Sequence, residues 1–466
     1  MSKNKIIVAS LGLLLAGSAH PAFAQSEQPV SLQEAITVAV NSNPEIAQAQ
    51  YNKEAIQFER KQAQGLYAPR IDIEGSAGVR YLDNNTRRAL NIDKDELWPL
   101  EAQARGEWTL IDFGRRRGEL LRQAARVDGA SLRVLERSEF VALQVARQYL
   151  DVLLQQRVVA ASQDNVGFHQ SLVGDLTTGV QQGSISIADQ QQAQERLQAA
   201  LVRQSEAEQS LEEAKIALRR LTGLDISQVQ LPPTLAEQLP ASIDEAVGLS
   251  RTANPRVKEA EADVDAAHAL AGSAKGDMYP RIGVGASGRI GEDIDGFRGN
   301  TRDVQGQVFL RWTLFDGGIN RAKYQEMVRR ASEARYRLYE VTREAEADVR
   351  TAWTTLSTQT RVGEQLATQS RVSDDLLLSY RSQFNVGRRS LLDVLDAQNT
   401  RYNVQVRLET ARFSEIFARY QTLAATNRFL SGLSIAPAAG AGEAERERFG
   451  YGPSKPAELQ YRTQPK

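Results

Sequence analysis

The stretch Trp108-Thr109-Leu110-Ile111-Asp112-Phe113-Gly114 closes one sequence periodicity and opens another. Before it, Leu100, Ala102, Ala104, Gly106, Trp108 and Leu110 alternate with Glu101, Gln103, Arg105, Glu107 and Thr109, the pattern of a strand with one apolar face. After it no proline occurs until Pro232, and Ala, Leu, Gln, Glu and Arg, all good helix formers, dominate. Apolar residues then recur at three- and four-residue steps, as in Phe140, Leu143, Ala146, Leu150 and Leu153, and again in Leu211, Ala214, Leu218 and Leu221. Asp112, with a glycine two residues on, suits the corner and caps the helix start. One helix from about Gly114 to the turn signals near Gly179 would span roughly 100 Å at about 1.5 Å per residue, too long for a compact globule.

The corner returns as Trp312-Thr313-Leu314-Phe315-Asp316, at an offset of 204. Upstream, Ser31-Leu32-Gln33-Glu34-Ala35 recurs as Ser242-Ile243-Asp244-Glu245-Ala246, Asn43-Pro44 as Asn254-Pro255, and Pro69-Arg70-Ile71 as Pro280-Arg281-Ile282, all at offset 211. The chain is therefore two copies of one plan. In the second copy seven residues are missing between the Pro-Arg-Ile and Trp-Thr-Leu landmarks, and the gap is expected in a loop.

Each copy supplies two strands of about ten residues. Ile71, Ile73, Gly75, Ala77, Val79 and Tyr81 alternate with polar or small residues, as do Ile282, Val284, Ala286, Gly288 and Ile290, and Val304, Gly306, Val308, Leu310, Trp312 and Leu314. A single such pair would fit a soluble half-exposed sheet. Four matched strands, each with a near-unbroken apolar face, fit membrane-barrel strands, with Trp108 and Trp312 at the lipid–water girdle. Four strands cannot close a barrel, and an open edge is not tolerated in hydrocarbon, so the chain must oligomerise. Two chains would give eight strands and a largely filled interior; three would give twelve and a passage.

The N-terminus agrees with export. Lys3 and Lys5, an apolar run from Ile6 to Ala16, and Ala22-Phe23-Ala24 make the three-part layout of a signal peptide over residues 1–24. That run is too short to span a bilayer, and no transmembrane helix is expected. Cysteine is absent, which excludes disulfides, thiol chemistry and an N-terminal lipidated cysteine. The formal net charge of -1 gives no sign of nucleic-acid binding. Beyond the signal only His169 and His268 remain, in unrelated contexts, so a His-based metal site is not expected. No P-loop, Cys/His nucleophile arrangement or metal-spaced cluster appears, which argues against an enzyme and against a cofactor.

A second repeated motif lies far from the strands. GSISIADQQQAQ at 183–194 and GRRSLLDVLDAQ at 387–398 share Gly183/Gly387, Ser186/Ser390, Asp189/Asp393, Ala193/Ala397 and Gln194/Gln398. The second copy alone adds the arginines and Asp396.

With SQFNVGRRSLLDVLDAQN at 382–399 and the duplicated order of short helix, strand pair, long helix, turn and returning helix, the chain resembles the TolC-like outer-membrane efflux proteins, from the signal to about Leu433. The resemblance implies an α+β membrane protein: a homotrimer with a twelve-stranded outer-membrane β-barrel continuous with a long periplasmic α-helical barrel. It implies 25–221 as first repeat (strands about 70–111, long helices about 114–221), 222–241 as equatorial linker and 242–433 as second repeat (strands about 281–315, long helices about 318–430). The tail 434–466, rich in Ala, Gly, Pro and charge, reads as disordered. The implied partners are a periplasmic adaptor (membrane fusion) protein, an inner-membrane ABC exporter or proton-driven pump, an exported polypeptide or drug, and outer-membrane lipid.

The wording Phe384–Asp393 and Tyr420–Thr426 looks most like the branch serving type I secretion of large unfolded polypeptides. Multidrug efflux is the alternative, and the missing cysteine disfavours its acylated branch. A periplasmic coiled-coil adaptor would also need a signal and long helices, but not the paired strands.

The resemblance assigns Asp393 and Asp396 to the pore constriction. They are three apart and share a helix face, and six carboxylates around one axis at roughly 6 Å would repel by about 1 to 3 kcal/mol per pair, attracting cations and raising their pKa values. It assigns Arg389 and Asp189 to a lock between the tips, with Phe384 standing where the family has a tyrosine, so that one hydroxyl-to-carboxylate bond is unavailable. Gly183 and Gly387 become the turns offered to adaptor hairpins.

Overall fold

The computed structural model describes residues 29–226, 228–442 and 444–451; the signal peptide and residues 452–466 lie outside the described residues. In chain order the elements are α1 (Leu32–Ser42), α2 (Pro44–Gly65), β1 (Arg70–Ala77), α3 (Asn85–Ala89), β2 (Leu100–Ile111), α4 (Arg115–Gln181) and α5 (Ile187–Thr222). The second copy follows with α6 (Ile243–Ala253), α7 (Pro255–Gly276), β3 (Arg281–Glu292), β4 (Asn300–Arg311), α8 (Ile319–Asn385) and α9 (Leu391–Ala425). Two short helices, α10 (Phe429–Gly432) and α11 (Glu445–Arg448), end it.

The four strands form one antiparallel sheet in the order β1-β2-β3-β4. Its register puts Ile71 beside Gly106, Gly106 beside Ala286, and Val284 beside Val308, so the apolar sets of all four strands share a face. That face is bare: Ile73 is 80% exposed and Val304 88%. β1 is shorter than the alternation suggests, ending at Ala77, with one further bridge between Arg80 and Leu97. β4 ends at Arg311, so Trp312 and Leu314 lie just past it. The extra length of the first copy is in the β1–β2 connection. There the α3 side chain Arg87, 1% exposed, donates to the carbonyls of Ile92, Asp95 and Gly296, tying this loop to the β3–β4 turn.

At the corners, Asp112 accepts from the Arg116 amide (3.0 Å) and Asp316 from the amides of Gly318 and Asn320 (2.9 Å each). Gly114 and Gly318, at φ +93° and +89°, make the left-handed step that starts each long helix. α4 and α8 have 67 residues each, about 100 Å long. Near the sheet α4 packs on α2, through Arg126–Glu59, and on α7, where the backbone of Gly118 meets Ser273 so closely that a Cβ would lie 2.5 Å from its nitrogen. Further along it packs on α5 and α9. α8 likewise follows α7 and then α9, with Arg256 2.8 Å from Glu344 and Arg401 2.6 Å from Asp374.

The partners of the long helices are joined end to end. Asn43 accepts from the Glu45 amide at 2.9 Å, capping α2, and its amide donates to Leu221 at the end of α5 (3.4 Å). Asn254 does the same for α7 and α9, accepting from Arg256 (2.9 Å) and donating to Ala425 (3.0 Å). Proline follows both, at the first helical position where no N–H is needed.

Around these seams lies the largest apolar cluster, with α1, the middle of α4, the end of α9 and α10 contributing Ile36, Val145, Leu423 and Phe429. Segment 223–242 is anchored across it: Val229 bridges Val30, the Gln230 amide donates to Tyr149 (2.9 Å), and Tyr420 donates to the Pro233 carbonyl. Burial pushes the Tyr149 hydroxyl up to about 12.

The tail departs from its composition. Residues 434–442 and 444–451 run back along the helices, with Ala438 buried and the Gly440 carbonyl accepting from Lys53 at 2.8 Å. Asp128 accepts from the amides of Ala444, Glu445 and Arg446 (3.1, 2.9 and 3.0 Å), while buried Arg446 reaches Asp128 and Asp265, each at 2.8 Å. Charge read as a sign of disorder is here neutralised by acids from α4 and α7. Arg446→Ala would leave Asp128 and Asp265 buried without their cation, at a cost of about 3–5 kcal/mol. Hydrogen exchange at the Ala444–Arg446 amides should rise while the α5 and α9 amides near the turns stay protected; unaltered exchange would show that the clasp holds nothing.

Candidate functional site

The far end of the long helices carries the second motif. α4 and α5 form one hairpin through Gly183 (φ +72°), α8 and α9 the other through Gly387 (φ +73°). Both glycines are exposed, with open space where a Cβ would point. Ser186 and Ser390 are the N-caps, accepting from the amides of Asp189 (3.1 Å) and Asp393 (3.3 Å) and donating to the same carboxylates at 2.7 and 2.8 Å. Serine and aspartate thus hold each other in each hairpin, and one orphan amide of the helix start is satisfied.

Of the remaining shared positions Gln194 is exposed and the other three pack inward. Ala193 and Ala397 are buried, and Gln398, fully buried, donates to Asn165 of α4 at 2.9 Å. Cap, turn and packing thus account for the shared positions apart from exposed Gln194. Arg388, Arg389 and Asp396, present only in the second, are what these roles leave over.

Arg389 stays within its own hairpin. Its guanidinium lies 4.1 Å from the Tyr380 ring centroid, 3.7 Å from the Asp393 carboxylate and, through Nε, 3.3 Å from Gln383. Asp189 is held by Ser186, so the expected Arg389–Asp189 pair is not made within one chain. The hydroxyl of Ser390 and then Arg389 hold Asp393 below the usual carboxylate range, opposite in direction to the expectation for a trimeric ring. Asp396 is exposed and lines a cavity of about 30 Å³ with His169, Arg196 and Arg203. Burial first, and then Arg203 and Arg196, push the His169 imidazole down, and its Nδ1 has no hydrogen-bond partner among the described residues.

Contacts invisible to motif reasoning join the hairpins. Arg381 lies 3.5 Å from Asp175 and over the Phe168 ring, and Arg203 donates to Asn399 at 2.9 Å. Phe384 packs against a cluster that unites Leu172 and Leu176 of α4, Ala193 of α5 and Leu391 and Leu395 of α9. At the corners, Trp108 and Trp312 are exposed, and their indoles donate to the carbonyls of Tyr67 (2.8 Å) and Met278 (3.2 Å). At the other end of the strands Trp98 and Tyr81 are exposed too, a second aromatic level that the alternation only half revealed, through Tyr81.

The outer membrane efflux protein family model matches residues 35–224 and 246–429. The chain belongs to that family. Among its relatives, the outer membrane efflux protein BepC of Brucella suis is 24% identical over 302 residues, covering 63% of this chain and 65% of BepC. The alkaline protease secretion protein AprF of Pseudomonas aeruginosa is 26% identical over 266 residues, covering 54% and 53%. The chain thus matches somewhat less than two thirds of the length of these relatives. The open-state MtrE outer membrane channel of Neisseria gonorrhoeae superposes with a TM-score of 0.72 at 19% identity, over 86% of this chain and 89% of that one. The fold is that of an outer-membrane channel, a β-sheet continuous with a helical tunnel, and the family places the chain in the outer membrane with its tunnel in the periplasm.

Ser390→Ala removes both bonds of the second cap, so the Asp393 amide should exchange about fivefold faster, matching about 1 kcal/mol. Because Asp393 is held below its ordinary 3.8, its contribution to the cap is complete above that pH and is lost as pH falls through the lowered value. The variant should lose that acid dependence; wild-type exchange rates would overturn the assignment.

Proposed function

We propose that the chain is one third of a passive export duct, which receives substrate from an inner-membrane pump through a periplasmic adaptor and releases it outside the cell. The observation that carries this is the bare apolar face of a four-stranded sheet whose strands run directly into 67-residue helices. β1 and β4 are the edges of that sheet, and hydrocarbon requires both to be paired. Three copies pair them in a twelve-stranded barrel with the apolar face to lipid and Glu101, Arg105, Asp303 and Arg311 to a watery lumen. Trp108 and Trp312 then sit at the periplasmic girdle.

At the inner end Asp393 and Asp396 of three copies form the constriction. Arg389 and Asp189, which do not meet within one chain, form the lock between neighbouring copies, with Arg389 exchanged against its own Asp393. The exposed turns at Gly183 and Gly387 are the adaptor contacts.

The cargo is an unfolded polypeptide delivered by an ABC exporter. The Phe384–Asp393 and Tyr420–Thr426 wording and the secretion role in AprF's name support it. BepC's name supports efflux as the second reading, with a drug as cargo and a proton-driven pump as partner.

In a planar bilayer, Asp393→Ala with Asp396→Ala should abolish block by a trivalent cation, and Arg389→Ser should raise single-channel conductance severalfold; unchanged block or conductance would remove the constriction or the lock. Deletion of the gene should empty the culture medium of a large secreted polypeptide. Normal secretion with raised drug sensitivity would decide for efflux.

A further inference from the structure

Where α9 ends and α7 begins, a cavity of about 350 Å³ opens between α4 and α8. Its size is in the range of small-molecule sites. Phe140, Leu143, Pro255 and Ala352 give it an apolar wall. Three carboxyl groups, Glu136, Glu139 and Asp348, also line it, with Arg256 as the one cation among its lining residues.

The charges do not balance at one position. Arg256 is taken by Glu344 (2.8 Å) and Asp348 (3.6 Å), and Glu136 has Arg137 at 3.0 Å. Glu139, 6% exposed, accepts among the described residues only from the Leu430 amide, at 3.4 Å to each oxygen. A buried carboxylate with so little compensation favours a cationic partner. Among the described residues no group of three His, Cys, Asp or Glu could hold a metal ion, and the apolar wall calls for a ligand with a body as well as a charge.

We propose that this cavity binds an amphiphilic organic cation, its nitrogen paired with Glu139 and its apolar body against Phe140, Leu143 and Ala352. Burial pushes the Glu139 carboxyl up to about 8, only partly offset by the Leu430 amide. The charged groups around it are Glu136 on α4, Arg256 on α7 and Asp348 on α8, while α9 contributes the uncharged Gln421, Ala424 and Ala425. Below about pH 8 the empty site holds a neutral acid, so the cation must displace a proton. Affinity therefore rises with pH, by up to about tenfold per unit, and levels off above pH 8.

Ethidium fluorescence, titrated against the full-length protein in detergent, tests this. An Asp393→Ala, Asp396→Ala background removes the acids at the tip. Glu139→Gln resembles the native neutral acid in shape and charge, so the fold should be kept while ionisation is lost; its Kd should rise about tenfold or more. Ala352→Phe, which fills the cavity but leaves Glu139, should weaken binding as well. Wild-type affinity in either variant, or equal affinity at pH 6.5 and pH 8.5, would overturn the site. None of these readouts uses conductance or secretion, so the outcome is independent of the proposed export role.

Discussion

A helix of about 100 Å needs neighbours along its whole length, and among the described residues no second helix matches α4 or α8 except the other. α5 and α9 have 36 and 35 residues, α2 and α7 have 22 each. The long helices are therefore covered only if these shorter ones are spliced, tip to seam and seam to sheet. One asparagine performs each splice, because its carbonyl oxygen caps the incoming helix while its amide satisfies a terminal carbonyl of the outgoing one. The negative end of one macrodipole also meets the positive end of the next, as within a continuous helix.

The splice fixes where the rest of the chain must go. Each seam sends a connection off the helical layer, and α1, α6, segment 223–242 and the tail all gather at this level. All but α6 help bury Tyr149 and Tyr420 in the largest apolar cluster, while α6 packs Ala246 and Val247 against Val349; near the turns the long helices touch their neighbours along thin stripes of Ala and Leu such as Ala193, Ala200 and Ala207. The molecule is thickest where its helices are discontinuous.

Much of this was legible because it is periodic or duplicated. The Trp-Thr-Leu corners marked the change of period, and the shared apolar face followed from alternation that the register then confirmed. Asn43-Pro44 and Asn254-Pro255 were readable as landmarks, but not as splices, because the acceptor carbonyls of Leu221 and Ala425 lie 178 and 171 residues away. The tail as far as Tyr451 was misread for the same reason. Arg446 finds Asp128 and Asp265 at separations of 318 and 181 residues, and composition carries no record of such pairs.

At the tip, local and non-local determinants separate cleanly. Among the described residues the bonds of Asp393 come from Ser390 and Arg389, within the turn that the second hairpin makes alone. Asp396 instead lines a cavity whose other walls include His169, Arg196 and Arg203 of the first hairpin. A motion of one hairpin against the other therefore leaves the surroundings of Asp393 intact and changes those of Asp396. The two carboxylates look like a pair in the sequence, yet one reports on the turn and the other on the contact between hairpins.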